Sequence, residues 1–219
     1  MLDVGCGTGR LLLDYRGEGI DIDGVDNAPE MLALCREKAE AKGVEVDTYQ
    51  QAIESLDLPR RYRVIIVPSS TFQLLYERSA ATAALESLYR HLLPGGQLVM
   101  SFFIPEKRQA EWSEWAPSSR RVDWGQGREL RRYSRAWYDE AEQLEHLDER
   151  DEVTRNGVVL ESELNSRSPA MRWYTVAQAV DLCRAAGFDP VTGTAGFTRN
   201  PASADEQLFC VAATRPGGR

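Results

Sequence analysis

Apolar residues come in short runs through the first half of the chain, separated by stretches in which they recur every three or four positions. Residues 1–4, 20–25, 46–50, 64–67 and 97–103 read as strands, and 10–15, 29–41 and 79–93 read as helices between them. Strands alternating with helices are the signature of βαβ units and a parallel sheet. Pro29 and Glu30 fall in the first turn of the second helix, where a fixed φ and a negative charge are both favoured. Pro94, Gly95 and Gly96 stop the third helix and turn the chain into the next strand.

From about Pro105 to Trp173 the pattern changes. Aromatics accumulate (Trp112, Trp115, Trp124, Tyr133, Trp137, Tyr138), and an Asn156-Gly157 dipeptide between two extended runs is a strong hairpin signal. Residues 128–137, 143–154 and 158–167 read as an antiparallel insertion. Helical spacing returns over 175–186, with Thr175 as N-cap and Gly187 as C-terminal cap, and strands near 190–196 and 207–214 close the chain. Residues 1–104 and 174–219 are therefore expected to form one doubly wound α/β core, with 105–173 inserted as an antiparallel β lid.

Composition narrows the partners. A chain of 219 residues fits one such domain with an insertion, and its net charge of -8 would repel a polyanionic backbone, which argues against nucleic acid. Arg128, Arg131, Arg132 and Arg135 cluster, but Glu129 and the acidic stretch 139–152 dilute them, so the plain reading is a solvated ribbon face. The four cysteines show no paired spacing and read as reduced thiols. No stretch reaches the roughly 20 apolar residues of a membrane span, and the N-terminus lacks the apolar run of a signal peptide, so a cytoplasmic protein is expected. No spaced Cys or His cluster points to a metal.

The chemistry concentrates at Leu2-Asp3-Val4-Gly5-Cys6-Gly7-Thr8-Gly9-Arg10, a strand running through a glycine turn into a helix. Glycines let a backbone approach a ligand closely, and a helix N-terminus offers free amide donors, so a nucleotide-like cofactor fits there. Asp26 ends the second strand, where a carboxylate can accept both hydroxyls of a ribose; its ordinary alternative is helix capping. The nicotinamide-binding spacing G-x-G-x-x-G is not met, because Arg10 stands where the third glycine would fall.

At these residues the chain resembles the class I S-adenosylmethionine-dependent methyltransferases. The resemblance is carried by Asp3-Val4-Gly5-Cys6-Gly7-Thr8-Gly9, by Gly24-Val25-Asp26-Asn27-Ala28-Pro29-Glu30-Met31, by His91-Leu92-Leu93-Pro94-Gly95-Gly96 and by Ala185-Ala186-Gly187-Phe188. It implies a Rossmann-like, mostly parallel seven-stranded sheet with an antiparallel insertion after strand five, as in bacterial members that act on small molecules. It also implies S-adenosylmethionine as cofactor and S-adenosylhomocysteine as product. Gly5, Cys6 and Gly7 would pass the methionine part, Asp3 would hold its ammonium, Asp26 the ribose, and Asn27 and Met31 would flank ribose and adenine. Pro68 would stand at the cofactor's edge. Where the family often has an acid for the adenine amino group, this chain has Ala52, leaving the backbone near Ile53 and the Gln51 amide. Family members usually carry further residues ahead of the first motif; here the expectation is either a shortened start or an unusually open cleft.

Methyl transfer needs alignment more than a covalent nucleophile, so no triad is required. Acceptor-side candidates are Ser69, Ser70 and Phe72 after strand four, Tyr133, Trp137 and His146 on the insertion, and Arg172, Tyr174 and Arg199. Ser69 and Ser70 also suit a turn, and His91 suits a helix terminus. Trp112, Trp115, Trp124 and Trp137 would build an aromatic cage or fill the insertion's own core. A small N or O acceptor is the leading expectation. A nicotinamide oxidoreductase, a non-catalytic adenosyl-binding remnant, and a homodimer completing the cleft are open alternatives. A nucleic-acid methyltransferase is disfavoured by the absence of an Asn-Pro-Pro-Tyr segment and by the acidic charge.

Overall fold

The computed structural model describes residues 1–106 and 108–218, without the side chains of Ser119, Arg120 and Trp124. The chain divides into two compact units, Met1–Ile104 with Tyr174–Arg219, and Pro105–Trp173. In chain order the elements are β1 (Leu2–Val4), α1 (Arg10–Gly17), β2 (Asp23–Asp26), α2 (Pro29–Lys42), β3 (Thr48–Gln50), β4 (Tyr62–Val67), α3 (Arg78–His91) and β5 (Leu92–Phe103). These are followed by β6 (Ala116–Gly125), β7 (Arg128–Asp139), β8 (Leu144–Arg155), β9 (Val158–Arg172), α4 (Val176–Ala185), β10 (Val191–Ala195) and β11 (Leu208–Thr214).

The first unit is a seven-stranded sheet in the order β10-β11-β5-β4-β1-β2-β3. Strands β1 to β5 run parallel, β11 is antiparallel to β5, and β10 is antiparallel to β11. Continuous apolar runs suit such a sheet, because helices cover both of its faces. Leu2, Ile65, Val67, Leu98 and Phe102 are accordingly fully buried, each worth about 1.5–3 kcal/mol relative to exposure. Phe102 stacks on Phe209 at 5.1 Å and meets Phe72 edge-on at 5.8 Å. Strand order reverses between β1 and β4, which opens a crevice beyond the carboxyl ends of those strands.

Several boundaries differ from the sequence reading by a few residues, most consequentially at β5. β5 starts at Leu92, ahead of Pro94-Gly95-Gly96, and the glycines form an irregularity inside the strand, with Leu92 opposite Tyr62 and Gln97 opposite Val64. The Gly95 amide donates to the Arg215 carbonyl and the Arg215 amide to the Gly96 carbonyl, so the end of β11 knits this segment into the ladder. A Cβ at Gly96 would stand 2.8 Å from the Leu93 carbonyl oxygen, which only glycine avoids.

The second unit is a four-stranded antiparallel sheet in the order β6-β7-β8-β9. Asn156 and Gly157 both have positive φ (52° and 78°) at the β8–β9 turn, the backbone a tight hairpin requires. Strand β6 had no place in the sequence reading, because Pro117 and the polar run Ser118 to Arg121 break apolar alternation.

Candidate active site

The glycine loop joins β1 to α1. Gly5 and Cys6 donate their amides to the Val25 carbonyl, and Gly9 donates to the Cys6 carbonyl. Gly5 has φ 72°, and a Cβ there would lie 2.5 Å from the Thr71 side chain; Gly7 has φ 54° with open space where its Cβ would be. The first glycine thus admits a neighbouring loop, and the second leaves a bare backbone facing a cavity of about 680 Å³, a size that suits a nucleoside-containing ligand.

Asp26 ties the wall together. Its Oδ2 accepts from the Gly7 amide at 2.8 Å and its Oδ1 from the Ala28 amide at 2.9 Å. The capping role is therefore present, yet each carboxylate oxygen keeps lone pairs for further donors. The cavity runs from Gly5 and Gly7 past Asp26, Asn27 and Met31 to Gln51 and Ile53. Asp3 lies beneath the loop, only 1 % exposed, and its Oδ1 has no hydrogen-bond partner among the described residues. Burial pushes its carboxyl up to about 7, against the opposing pull of the Arg10 guanidinium. Cys6 is buried, its Sγ pointing toward Gly24, so only its backbone is available to a ligand.

The segment after β3 is held from below by α3. Leu56 donates its amide to Ser87 Oγ (3.1 Å) and Leu58 to His91 Nε2 (3.2 Å). Because Nε2 accepts, the ring proton sits on Nδ1 and donates to the Ser87 carbonyl at 2.8 Å. His91 is a structural clasp. The Gln51 amide, expected to face adenine, is spent instead on the Asp57 backbone, with Nε2 donating to the carbonyl and the Asp57 amide donating to Oε1. Ala52 precedes the short turn Ile53–Ser55 and does not line the cavity, whereas Glu54 does. Glu54 escaped the sequence reading although it is an acid two residues beyond the expected place.

The loop after β4 is built on strain. Ser69 and Ser70 both have positive φ (55° and 58°), a conformation costing about 1–2 kcal/mol per non-glycine residue. Several hydrogen bonds hold it: Thr71 Oγ1 to the Pro68 carbonyl (2.7 Å), the Ser70 amide to Ser101 Oγ (3.3 Å), and Gln73 paired with both backbone groups of Phe103. Pro68 serves as an acceptor inside this loop and does not line the cavity. Arg10 reaches Ser69 Oγ at 3.4 Å. Thr71, inside the loop expected to line the channel, does line the cavity, as do residues 74–77, which the sequence did not single out.

Other expected site residues are placed elsewhere. Phe72, expected beside the acceptor, is fully buried, because its ring completes the aromatic core with Phe102 and Tyr174; Tyr174 is 2 % exposed for the same reason. In the second unit Trp137 stacks on His146 (3.8 Å), and His146 Nδ1 lies 2.7 Å from Ser168 Oγ. The faces of Trp112 and Trp115 are taken by Arg135, and those of Trp115 and Tyr133 by Arg150, so these rings already hold cations of their own sheet. The Trp124 side chain lies outside the described residues. Arg172 is buried and donates to the Glu142 carbonyl. Arg199 is exposed between β10 and β11.

A seven-stranded sheet with an antiparallel final strand, a glycine turn after β1 and a carboxylate ending β2 define the class I S-adenosylmethionine-dependent methyltransferase fold. Residues 1–96 match the family model described as a methyltransferase domain. The cofactor of the class is S-adenosylmethionine. The residues fit it: a bare backbone at Gly7, free acceptor capacity on Asp26, and a buried carboxylate oxygen at Asp3 that lacks a donor. Among curated relatives, demethylmenaquinone methyltransferase of Thermus thermophilus is 38 % identical over 114 residues, covering 50 % of each chain. This chain thus spans about half the length of that relative. Among solved structures, an S-adenosylmethionine-dependent methyltransferase from Clostridium acetobutylicum superposes with TM-score 0.79 at 14 % identity, over 99 % of this chain and 83 % of that one. The amino pentose methyltransferase CalS10 from Micromonospora echinaspora, solved with S-adenosylmethionine bound, gives TM-score 0.71 at 24 % identity, over 98 % and 82 %.

Proposed function

We propose that this protein transfers a methyl group from S-adenosylmethionine to a nitrogen or oxygen of a small-molecule acceptor. The observation that carries the reading is the cavity bounded by the Gly7 backbone and Asp26, with the buried, donor-less Asp3 carboxylate on β1 two residues before Gly5. When bound, the cofactor supplies a methyl group on a sulfonium, open to in-line displacement. The chain's own residues bind and orient. Asp26 accepts the ribose hydroxyls, Asp3 accepts from the ammonium, the backbone of Gly5 and Gly7 follows the methionine part, and Met31 and Ile53 flank adenine. Ser69 and Ser70 stand where an acceptor would enter, at the carboxyl end of β4. Proton removal from a hydroxyl or an ammonium acceptor falls to a base or water path.

The amino pentose methyltransferase among the structural neighbours favours a sugar-sized acceptor. Four free, buried cysteines suit a reducing cytoplasm, and among the described residues no helix is long and apolar enough to cross a membrane. Calorimetric titration with S-adenosylmethionine, S-adenosylhomocysteine and NADH tests the reading. Both adenosyl ligands should bind, more weakly to Asp26→Ala, and NADH should not; NADH binding alone would replace the reading with an oxidoreductase. A set of amine- and hydroxyl-bearing sugars, with methylation read by mass, then separates nitrogen from oxygen.

A further inference from the structure

The two edges of the inserted sheet are not alike. Edge strand β6 carries Pro117 and irregular pairing between Pro117 and Arg121 and between Asp123 and Gly125, devices that blunt an edge against further pairing. Edge strand β9 pairs with β8 without interruption from Glu161 to Arg167, between an irregularity at Leu160 and another beyond Arg167. Every residue from Val158 to Ser168 is exposed, and four of them are large and aliphatic: Val158 (62 %), Val159 (48 %), Leu160 (50 %) and Leu164 (57 %). Among the described residues β9 pairs only with β8, and no strand lies beside its outer row of amides and carbonyls. A long, apolar, open edge invites a further strand.

We infer that β9 pairs antiparallel with β9 of a second copy of this chain, across a two-fold axis centred on Leu164, to join two inserted sheets edge to edge. The charges select both the occupant and the register. In a two-fold pairing, residues equidistant from the centre on opposite sides face each other, and both copies present the same surface. Centred on Leu164, the strand sets leucine against leucine at the axis and Glu161 against the partner's Arg167 in both halves. Glu161 and Arg167 project on the same face of the sheet, opposite Val153 and Leu147 of β8. Arg167 already bonds Glu149 at 2.5 Å, and its forked guanidinium can bridge that carboxylate and the incoming one. Registers centred on Glu161, Ser162 or Glu163 set glutamate against glutamate, a repulsive arrangement. The Leu164 register also centres the pairing on the regular segment Glu161 to Arg167 and keeps Pro169, which lacks an amide, clear of it.

Sedimentation of the full chain at micromolar concentration tests this without reference to ligand. The native protein should sediment as a dimer, and Leu164→Lys as a monomer with unchanged far-ultraviolet circular dichroism. Glu161→Arg should weaken association at least about tenfold by facing arginine with arginine, and the double variant Glu161→Arg/Arg167→Glu should restore it. A native monomer, or a dimer that survives Leu164→Lys, overturns the inference. The charge swap guards against misfolding of the lysine variant: folded double variants that stay monomeric overturn the Leu164 register.

Discussion

The two sheets of this chain are stabilised by different physics. In the first unit the buried apolar side chains of β1, β4 and β5 pack on one another and on the covering helices. In the second unit β7 and β8 face each other through ion pairs, such as Arg132 with Asp151 at 2.7 Å and Arg135 with Asp148 at 2.8 Å, while β9 is exposed along most of its length. Within the arginine cluster that reads as a solvated face, Arg132 and Arg135 are paired with carboxylates across strands, while Arg131 pairs with Glu129 on its own strand. One sheet holds a cavity rigidly; the other is held by its surface.

That contrast is sharpest under truncation. Phe102→Ala, in the aromatic cluster of β5, is expected to cost about 3–5 kcal/mol, whereas Leu164→Ala, already exposed in β9, should change monomer stability by less than about 0.5 kcal/mol. Denaturant unfolding reads both, and equal losses would erase the distinction. Next in size is Arg135→Ala. It leaves the buried Asp148 carboxylate without its counter-charge and bares Trp112, a loss of about 2–3 kcal/mol. Arg135→Lys should recover only part of it, because a lysine keeps the charge without the planar stacking.

The two units should also answer pH in opposite senses. Burial raises the Asp3 carboxyl to about 7, so between about pH 4 and 7 the folded chain binds more protons than the unfolded one. Its contribution then falls as pH rises through that window. Asp148 is held below the usual range, since hydrogen bonds from Ser166 and Arg135 outweigh its burial, and the Arg132 hydrogen bonds do the same for Asp151. These two contribute above about pH 4, and that contribution is lost as pH drops through their folded values. Asp3→Asn should therefore raise the melting temperature at pH 8 and leave acid unfolding unchanged. It should also weaken S-adenosylhomocysteine about tenfold, one lost charge-assisted bond, and remove the rise of affinity with pH near 7. An unaltered pH profile would mean that the ammonium is bound elsewhere.

Most of the first unit could be read from the chain, because its strands are apolar runs and its glycines mark where the backbone turns sharply or a neighbour presses close. The positions that resisted were those decided by packing at a distance. Nothing local to Phe72 says that its ring will meet Phe102 and Tyr174, which are remote in sequence. Nothing local to Gln51 says that Asp57 will fold back onto its amide. In the insertion the Asn156-Gly157 turn was legible, but β6 was not, since a polar edge strand lacks the alternation by which strands are recognised.

The smallest effect concerns the adenine end. Alanine at position 52 withholds the carboxylate that the class often has there, and the acid that does line the cavity is Glu54, half-buried and without an ion pair among the described residues. Glu54→Gln is expected to lower S-adenosylhomocysteine affinity about three- to tenfold, roughly 0.6–1.4 kcal/mol, with no change in stability. Ala52→Asp should raise affinity by a similar factor in the Glu54→Gln background, where the two carboxylates do not repel each other. If Glu54→Gln binds as tightly as the native protein, the adenine amino group is met by backbone near Ile53. In that case Ala52→Asp should raise affinity in the native background as well, because there would be no working carboxylate for it to oppose.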